Sequence, residues 1–493
     1  MRKNSLKELL SIISESLKGG EKDFTTGSIG KAVFLLSVPM ILEMALESIF
    51  TVVDAFFVGR LGSDALAAVG VTDAVITLIF AVAIGISMGT TAMVSRRIGE
   101  KNPEAASTAA AQSIWLGVFI AIPFAVFGLI FPKEILGLMG ATEQVVETGW
   151  GFTAMLLGGN ITIMLLFILN AVFRGAGDAV IAMRVLWIAN GINIILDPLL
   201  IFGIGPFPEL GVTGAAVATT IGRGTGVLLQ LYVLFSGKGR IKVSKENMKL
   251  DLKILFRLIK VSIGGVFQFI ISTSSWVALV RILALFGSAA LAGYTIAIRI
   301  IIFAILPSWG MANAATTLVG QNLGAGNPDR AEKSVWITGF SNFFFLVMVA
   351  AVFITIPEYL VGIFTTDPET LAIGSTALRI ISYGYGFYAF GMVMIQAFNG
   401  AGDTYTPTKI NFFIYWMFQI PLAFILSKGF AGVKDVLSWL GQWLFDRDIL
   451  LFPNTESILH EQGVFWAIMI AEAMLTIVGV IVFKRGKWKE KQV

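Results

Sequence analysis

Three acidic residues lie within one apolar stretch of the sequence, residues 39–62. Glu43, Glu47 and Asp54 are four and seven residues apart, a spacing that places all three on one face of an α-helix. A carboxylate at the centre of a bilayer costs about 2.5–3.5 kcal/mol on insertion scales, so three acids in one spanning helix need a polar environment. The spacing therefore predicts a helix face that lines a polar interior and handles a proton, a cation or a cationic solute.

A second polar group is predicted to lie near these acids. Asn193 and Asp197 share one face of the fifth predicted span, and Thr219 lies in the sixth. Counting residues from the membrane surface places Asp54, Asp197 and Thr219 at similar depths in the outer half of the membrane. Two neighbouring carboxylates need a proton or a cation, and oxygen ligands suit a hard cation. The alternative is that Asp197 packs between helices and bonds to Ser or Thr.

The composition is that of a membrane protein. Of the 493 residues, 56% are apolar and 14% are charged, and the mean hydropathy of +0.82 lies outside the range of soluble globular chains. Apolar runs of about 20 residues, long enough to cross the hydrocarbon core, occur twelve times. We therefore predict an all-α polytopic membrane protein with twelve transmembrane helices. The predicted starts are Ala32, Leu66, Thr108, Val146, Ile181, Gly211, Leu258, Ala290, Val335, Leu371, Ile410 and Gly463.

Lys and Arg are distributed unequally among the predicted loops. The N-terminal tail, the loop at Arg96 and Arg97, the segment 237–257 and the C-terminal tail are basic, whereas loops on the other side have few cations. The positive-inside rule then predicts a multi-pass protein of the cell inner (plasma) membrane with both termini cytoplasmic. This topology accounts for the pI near 9.1 without a nucleic-acid partner. A lipid-headgroup contact at the basic segment is the alternative.

The residue types exclude several classes of protein. The chain has no Cys and one His, His460, which excludes thiol catalysis, disulfides and clustered His metal sites. We predict that it is not an enzyme; intramembrane proteolysis by an aspartate pair is the alternative. No signal peptide is predicted, and the N-terminus has the spacing of an amphipathic surface helix, with a loosely held polar tail as the alternative. The apolar residues of that helix are Leu6, Leu9, Leu10, Ile13 and Leu17.

The second half of the sequence repeats the first. Segments 61–67, 99–103 and 173–178 each have a counterpart 225 residues later. Six spans per half give both halves the same orientation, as in secondary transporters whose halves are related by a pseudo-two-fold axis along the membrane normal. The predicted domains are a tail 1–31, an N-lobe 32–236 with six helices, a linker 237–257, a C-lobe 258–484 with six helices and a tail 485–493.

An insertion interrupts the repeat near its end. Segment 211–216 resembles 463–468, and this offset of 252 exceeds the others by 27 residues. The excess predicts an extracellular insertion at about 433–462, between spans eleven and twelve. Its aromatic residues indicate an amphipathic helix in the interface, and a partner-binding or gating role is the alternative. These residues are Trp439, Trp443 and Phe445.

The acids of the N-lobe have no counterparts in the C-lobe. The offset of 225 pairs Glu43 with Gln268 and Asp54 with Leu279. Ion chemistry is therefore predicted in the N-lobe alone, and we expect Glu43, Glu47 and Gln268 to line a substrate cavity. The remaining charged residues in or near spans either form gating pairs or extend towards the membrane surface. They are Arg184, Arg223, Arg281, Arg299 and Glu472.

Four motifs, in this order, carry a resemblance to a known family. They are VVDAFFVGRLG at 52–62, FRGAGD at 173–178, NIILDPLLIFG at 193–203 and LGVTGAAVAT at 210–219. With them, the chain resembles the multidrug and toxic compound extrusion (MATE) transporters over residues 27–487, apart from the insertion. The resemblance implies two six-helix lobes and antiport of cationic, lipophilic drugs against Na⁺ or H⁺, with no other cofactor.

The resemblance also implies a cation site in the N-lobe. The matching residues here are Asp54, Asn193, Asp197 and Thr219, with Asn170 as a further polar member. The NorM branch of the family carries acids on spans seven and ten, where this chain has Gln268 and no acid between 383 and 398. The chain therefore resembles the DinF-like branch more closely.

An alternative transport function remains open from the residues. A flippase of lipid-linked oligosaccharide or of another amphipathic metabolite would need cations facing the cavity to bind a lipid phosphate. Cavity-lining Arg223 or Arg281 would favour it. The expected partners are small organic cations and membrane lipids, with no nucleic acid, and the expected state is a monomer.

Overall fold

The computed structural model describes residues 11–20, 22–428 and 459–493, and helices dominate these ranges. Within them, nine helices are long and apolar enough to span a membrane, and two bent pairs of shorter helices bring the total to eleven. Val212–Ser236, a helix of 25 residues, completes the set of twelve predicted spans.

Each lobe contains six spans, labelled in chain order. The N-lobe spans are α1 (Ile29–Gly59), α2 (Ser63–Gly99), α3 (Pro103–Ile130), α4 (Glu143–Gly158 with Asn160–Ala176), α5 (Ala179–Ile201) and α6 (Val212–Ser236). The C-lobe spans are α7 (Leu252–Leu283), α8 (Ser288–Gly324), α9 (Pro328–Thr355), α10 (Pro368–Ser382 with Tyr385–Gly400), α11 (Tyr405–Lys428) and α12 (Gln462–Lys484). Short helices Pro132–Leu138 and Pro357–Gly362 follow α3 and α9.

The observed starts lie within seven residues of the predicted ones. The largest difference is at α9, which begins at Pro328 rather than Val335. Several helices begin before the apolar run because a polar side chain caps their first turn. The side chain of Asn102 accepts a hydrogen bond from the first turn of α3, and Pro103 occupies the first helical position, where no N–H is required. The repeated dipeptide Asn327-Pro328 begins α9 and also places a proline in the first turn, although the Asn327 side chain makes no capping hydrogen bond there.

Three spans depart from a regular α-helix. α4 bends by 41° between Gly158 and Asn160, and α10 bends by 57° between Ser382 and Tyr385. α11 contains a π-helical segment, Phe412–Gln419. Such segments are rare and occur frequently at functional sites. Two of these three irregularities lie in the C-lobe.

The two lobes meet along α1, α2, α7 and α8. α1 packs against α8, and α2 packs against α7. The side on which α1 begins and α12 ends is called the tail side here. There, Thr317 Oγ1 donates to the carbonyl oxygen of Arg174 at 3.0 Å, and Gln321 Nε2 donates to that of Gly175 at 3.0 Å. These bonds join α8 of the C-lobe to the end of α4.

Two glycines bring the lobes into backbone contact at the tail side. A Cβ atom at Gly99, the last residue of α2, would overlap with the carbonyl oxygen of Gln321. A Cβ atom at Gly324, the last residue of α8, would overlap with the carbonyl oxygen of Arg96. Because no side chain separates these backbones, the lobes are closed against each other at the tail side.

Parts of the sequence predictions lie outside the described residues. Residues 11–18 form a short helix before α1, and Arg184 Nη2 of α5 donates to the carbonyl oxygen of Leu17 at 2.6 Å. Leu6, Leu9 and Leu10 of the predicted amphipathic helix lie outside the described ranges, as does most of the predicted insertion, up to residue 458. α7 begins within the segment that was predicted as linker. The cytoplasmic position of both termini stays a prediction.

Candidate functional site

A cavity of about 550 Å³ lies between the lobes and is lined chiefly by the N-lobe. α1 contributes Glu43, Glu47 and Asp54 to its wall, and α2 contributes Asp73. The cavity also has many aromatic side chains, among them Phe50, Phe80, Phe152, Phe167, Phe269 and Trp309. Carboxylates and aromatic faces both attract organic cations. The cavity is therefore suited to an amphipathic cation.

A buried polar group lies beside the cavity, between α5 and α6. Asn193 Nδ2 donates to Thr219 Oγ1 at 3.1 Å, and Thr219 also lines the cavity. Asp197, one turn further along α5, is completely buried, and neither of its carboxylate oxygens has a hydrogen-bond partner among the described residues. Asp54 and Asp197 interact electrostatically. Because an unpartnered buried carboxylate is costly, this group is suited to bind a proton or a cation.

The local sequence of α5 and α6 explains this arrangement. A Cβ atom at Gly222 would lie 3.1 Å from the Cβ atom of Asn193 and 2.7 Å from a carbonyl oxygen of α5. Glycine therefore permits the close approach that brings Thr219 to Asn193. Pro198 follows Asp197 inside α5, and its missing N–H interrupts the helical hydrogen bonds next to the acid.

Two acids of α1 have partners on neighbouring helices. Glu43 is completely buried, and its Oε1 lies 3.4 Å from Nη1 of Arg174 on α4. Glu47 Oε2 accepts a hydrogen bond from Asn190 Nδ2 of α5 at 3.0 Å. These contacts connect α1 to α4 and α5 within the N-lobe.

We expect replacement of Arg174 by Met to lower the free energy of unfolding by about 3 kcal/mol, because removal of one partner leaves the Glu43 carboxylate buried and unpaired. The double variant Arg174→Met/Glu43→Gln is expected to recover most of this loss. Thermal unfolding of the purified proteins measures the loss in the single variant and the recovery in the double variant. Arg60→Met, at the exposed end of α1, is the control. A melting temperature of Arg174→Met equal to that of wild type would contradict an ionic pair.

The two remaining candidates lie in different surroundings. Asn170 lines the cavity, and its Oδ1 accepts a hydrogen bond from Gln230 Nε2 at 2.5 Å. Gln268 is buried outside the described cavity lining. Its Nε2 donates to Asn399 Oδ1 at 3.0 Å and to the carbonyl oxygen of Thr404 at 2.9 Å. Gln268 therefore connects α7 to the end of α10 within the C-lobe.

Sequence reasoning did not assign Arg223 of α6 to the cavity. Its guanidinium lies 5.7 Å from the ring centroid of Phe80, and the charges of Glu47, Asp54 and Asp73 act on it. The position of Arg223 along α6 could have indicated that its side chain faces the interior. Eleven residues after the start of α6 correspond to about 17 Å at 1.5 Å per residue, which is too deep for a side chain that extends to the membrane surface.

The MatE family profile matches residues 39–199 and 266–425, which together make up more than half of the chain. The chain belongs to the MatE family. Both matched segments fall within the two lobes, and MATE structures have twelve helices in two lobes, so the predicted fold class is confirmed. MatE proteins are multi-pass membrane transporters rather than enzymes. This confirms the predictions that the chain is a multi-pass membrane protein and that it is not an enzyme.

Individual MatE relatives span almost the whole chain. The probable multidrug resistance protein NorM of Thermotoga maritima is 29% identical over 437 residues, which cover 87% of this chain and 92% of that protein. An FAD transporter of Shewanella oneidensis is 26% identical over 412 residues, with 83% and 90% covered. A solved structure of a multidrug resistance MATE family transporter in an outward-facing conformation is 25% identical, has a TM-score of 0.83, and covers 94% of this chain and 98% of that one. The DinF-like branch stays a prediction.

Proposed function

We propose that this MatE protein is an antiporter that exports amphipathic organic cations from the cell in exchange for H⁺ or Na⁺. The observation that carries the proposal is the acidic, aromatic-lined cavity between the lobes, with the unpartnered carboxyl of Asp197 buried beside it. The printed names of the Thermotoga maritima relative and of the outward-facing structure both refer to multidrug resistance. They support multidrug export by this chain.

In this proposal the cavity binds the substrate, and the buried group binds the coupling ion. The organic cation lies against the aromatic wall, near the carboxyl groups of Glu47, Asp54 and Asp73. The coupling ion binds at Asp197, with Asn193 and Thr219 as neutral oxygen ligands. Asp54 lines the cavity, and its charge acts on Asp197, so occupation of one site changes the electrostatic free energy of the other. Coupling requires such a connection.

Alternating access requires that the lobes separate on one side at a time. The positive-inside rule places the closed tail side at the cytoplasm in this proposal. The structure then represents a state directed away from the cytoplasm, with the protein in the plasma membrane. Export ends when the coupling ion enters the N-lobe and lowers its affinity for the organic cation.

The test is efflux of a fluorescent lipophilic cation from proteoliposomes that contain the purified protein. A Na⁺ gradient and a pH gradient are imposed separately. We expect one of the two gradients to drive efflux, which identifies the coupling ion, because an antiporter converts the gradient of its own ion into substrate movement. Asp54→Asn is expected to lower the driven efflux about 5–150-fold, the usual range of coupling between two sites.

The matched control is Asp64→Asn, an acid in the first turn of α2 outside the described cavity lining. It is expected to transport like wild type. Absence of driven efflux under both gradients, with incorporation of folded protein verified, would contradict the export of organic cations.

A second candidate is transport of an anionic amphipathic metabolite. The observation that favours it is the presence of two guanidinium groups, Arg174 and Arg223, in the cavity wall. The Shewanella oneidensis relative is named as an FAD transporter. Four carboxyl groups in the same wall favour cations, so the anionic substrate ranks second. Inhibition of the fluorescent-cation efflux by an excess of a flavin dinucleotide, but not by a small organic cation, would reverse this order.

A further inference from the structure

A buried carboxyl group also lies in the C-lobe, where the repeat predicts no ion chemistry. Glu472 of α12 is only 9% exposed. It contributes to a small cavity of about 30 Å³ between α7, α8, α10, α11 and α12, and it is the only charged residue in the described lining of that cavity. A cavity of this size has room for a water molecule.

The polar groups around Glu472 are hydroxyl and amide groups. Tyr415 Oη donates to Glu472 Oε1 at 3.2 Å. Tyr385 Oη and Gln419 Oε1 are both buried without a hydrogen-bond partner among the described residues. The titratable groups that face Glu472 are all tyrosines, namely Tyr294 from α8, Tyr385 and Tyr388 from α10, and Tyr415 from α11. α7 contributes Trp276 and Leu279 to the lining, which do not titrate.

Irregular backbone surrounds this carboxyl group on two sides. Tyr415 and Gln419 both belong to the π-helical segment of α11. Tyr385 is the first residue after the 57° bend of α10. π-Helical segments and helix breaks are places where a span can change its hydrogen bonding between two states. The groups that contact or face Glu472 are therefore attached to the least regular parts of the lobe.

An ionised Glu472 would have one hydroxyl donor and an otherwise apolar or neutral surrounding, which is costly for a buried carboxylate. A proton on Glu472 removes the charge and supplies an O–H donor, which is the kind of group that the unpartnered Gln419 Oε1 lacks. We propose that Glu472 is a proton-binding site in the C-lobe, separate from the N-lobe group, and that it takes a proton from water and returns it to water as α10 and α11 change conformation. This inference goes beyond the proposed N-lobe coupling.

The test is infrared difference spectroscopy of the purified, full-length protein in lipid nanodiscs, titrated with acid and base. The carbonyl band of a protonated carboxylic acid reports the proton directly, and no transport is required. We expect wild type to show, among the bands of its other carboxyl groups, one band that titrates with pH and that is absent from Glu472→Gln. Asp197→Asn is expected to keep this band, which separates the result from any failure of the N-lobe proposal.

Two further variants complete the experiment. Tyr415→Phe retains the carboxyl group but removes its hydrogen-bond donor, so we expect the band to persist at a shifted frequency even if Glu472→Gln folds poorly. Glu134→Gln, in the short helix after α3, makes the same chemical change at an exposed acid and is expected to keep the band unshifted. Identical spectra for wild type and folded Glu472→Gln would overturn the proposal. A Glu472 band that never titrates would overturn the exchange of the proton.

Discussion

Asp197→Asn is expected to lower gradient-driven efflux strongly while it leaves binding of the organic cation close to that of wild type. Asp197 is completely buried and does not contribute to the described cavity wall, so the substrate loses no direct contact. An amide cannot take up the exchanged proton and supplies no charge to a metal cation. Because coupling between two sites amounts to about 1–3 kcal/mol, driven efflux is expected to fall about 5–150-fold.

The measurement compares two quantities on the same preparation. Efflux under the active gradient reports coupling, and quenching of the fluorescent cation by the purified protein reports binding. Asp64→Asn again serves as the matched control. If Asp197→Asn weakens binding and efflux by the same factor, the carboxyl group acts in packing between α5 and α6, and the coupling role fails.

Gly99→Ala is expected to destabilise the closed state of the tail side. The added methyl group would occupy the space of the Gln321 carbonyl oxygen, and this atom belongs to a helix backbone that has no side-chain freedom. Overpacking of this kind costs about 1–3 kcal/mol, which shifts an equilibrium between two states by about 5–150-fold. The protein is then expected to favour a state that is open at the tail side and to lose most of its transport.

The chain has no native Cys, so closure can be measured by cysteine labelling. Met88→Cys places a thiol in the cavity wall, and a membrane-impermeant maleimide applied from the tail side reports access to it. Gly99→Ala is expected to raise the labelling rate. Gly191→Ala on α5, where an added Cβ meets no atom within 4 Å, is the matched control. Equal labelling rates in the two variants would contradict the prediction. They would show that the tail side still closes around the added methyl group.

Residue spacing predicts a large part of the N-lobe site. Glu43, Glu47 and Asp54 follow the helical repeat, and all three line one cavity. Estimated depth places Thr219 level with the polar residues of α5, and Thr219 contacts Asn193. Such predictions work because a membrane fixes the helix direction and the depth of each residue.

The partners across helices could not be predicted in this way. Arg174 contacts Glu43, and Arg223 faces acids of α1 and α2, because of how the helices pack, which no single-helix period encodes. Gln268 is the repeat counterpart of Glu43 and was therefore expected to line the cavity. Its side chain instead bonds to Asn399 within the C-lobe. The sequence did not assign a role to Glu472. The acids of α1 were compared with their repeat positions on α7, and this comparison gives no information about a carboxyl group on α12.

The two guanidinium groups in the cavity wall determine how the membrane potential acts on the transport cycle. When access to the cavity switches sides, its fixed charges change their position in the transmembrane field, which is worth about 2.3 kcal/mol per elementary charge for each 100 mV. Arg174 pairs with Glu43, and Arg223 adds a second positive charge to the same wall. The return of the substrate-free carrier is therefore less voltage-dependent than four carboxylates alone would make it.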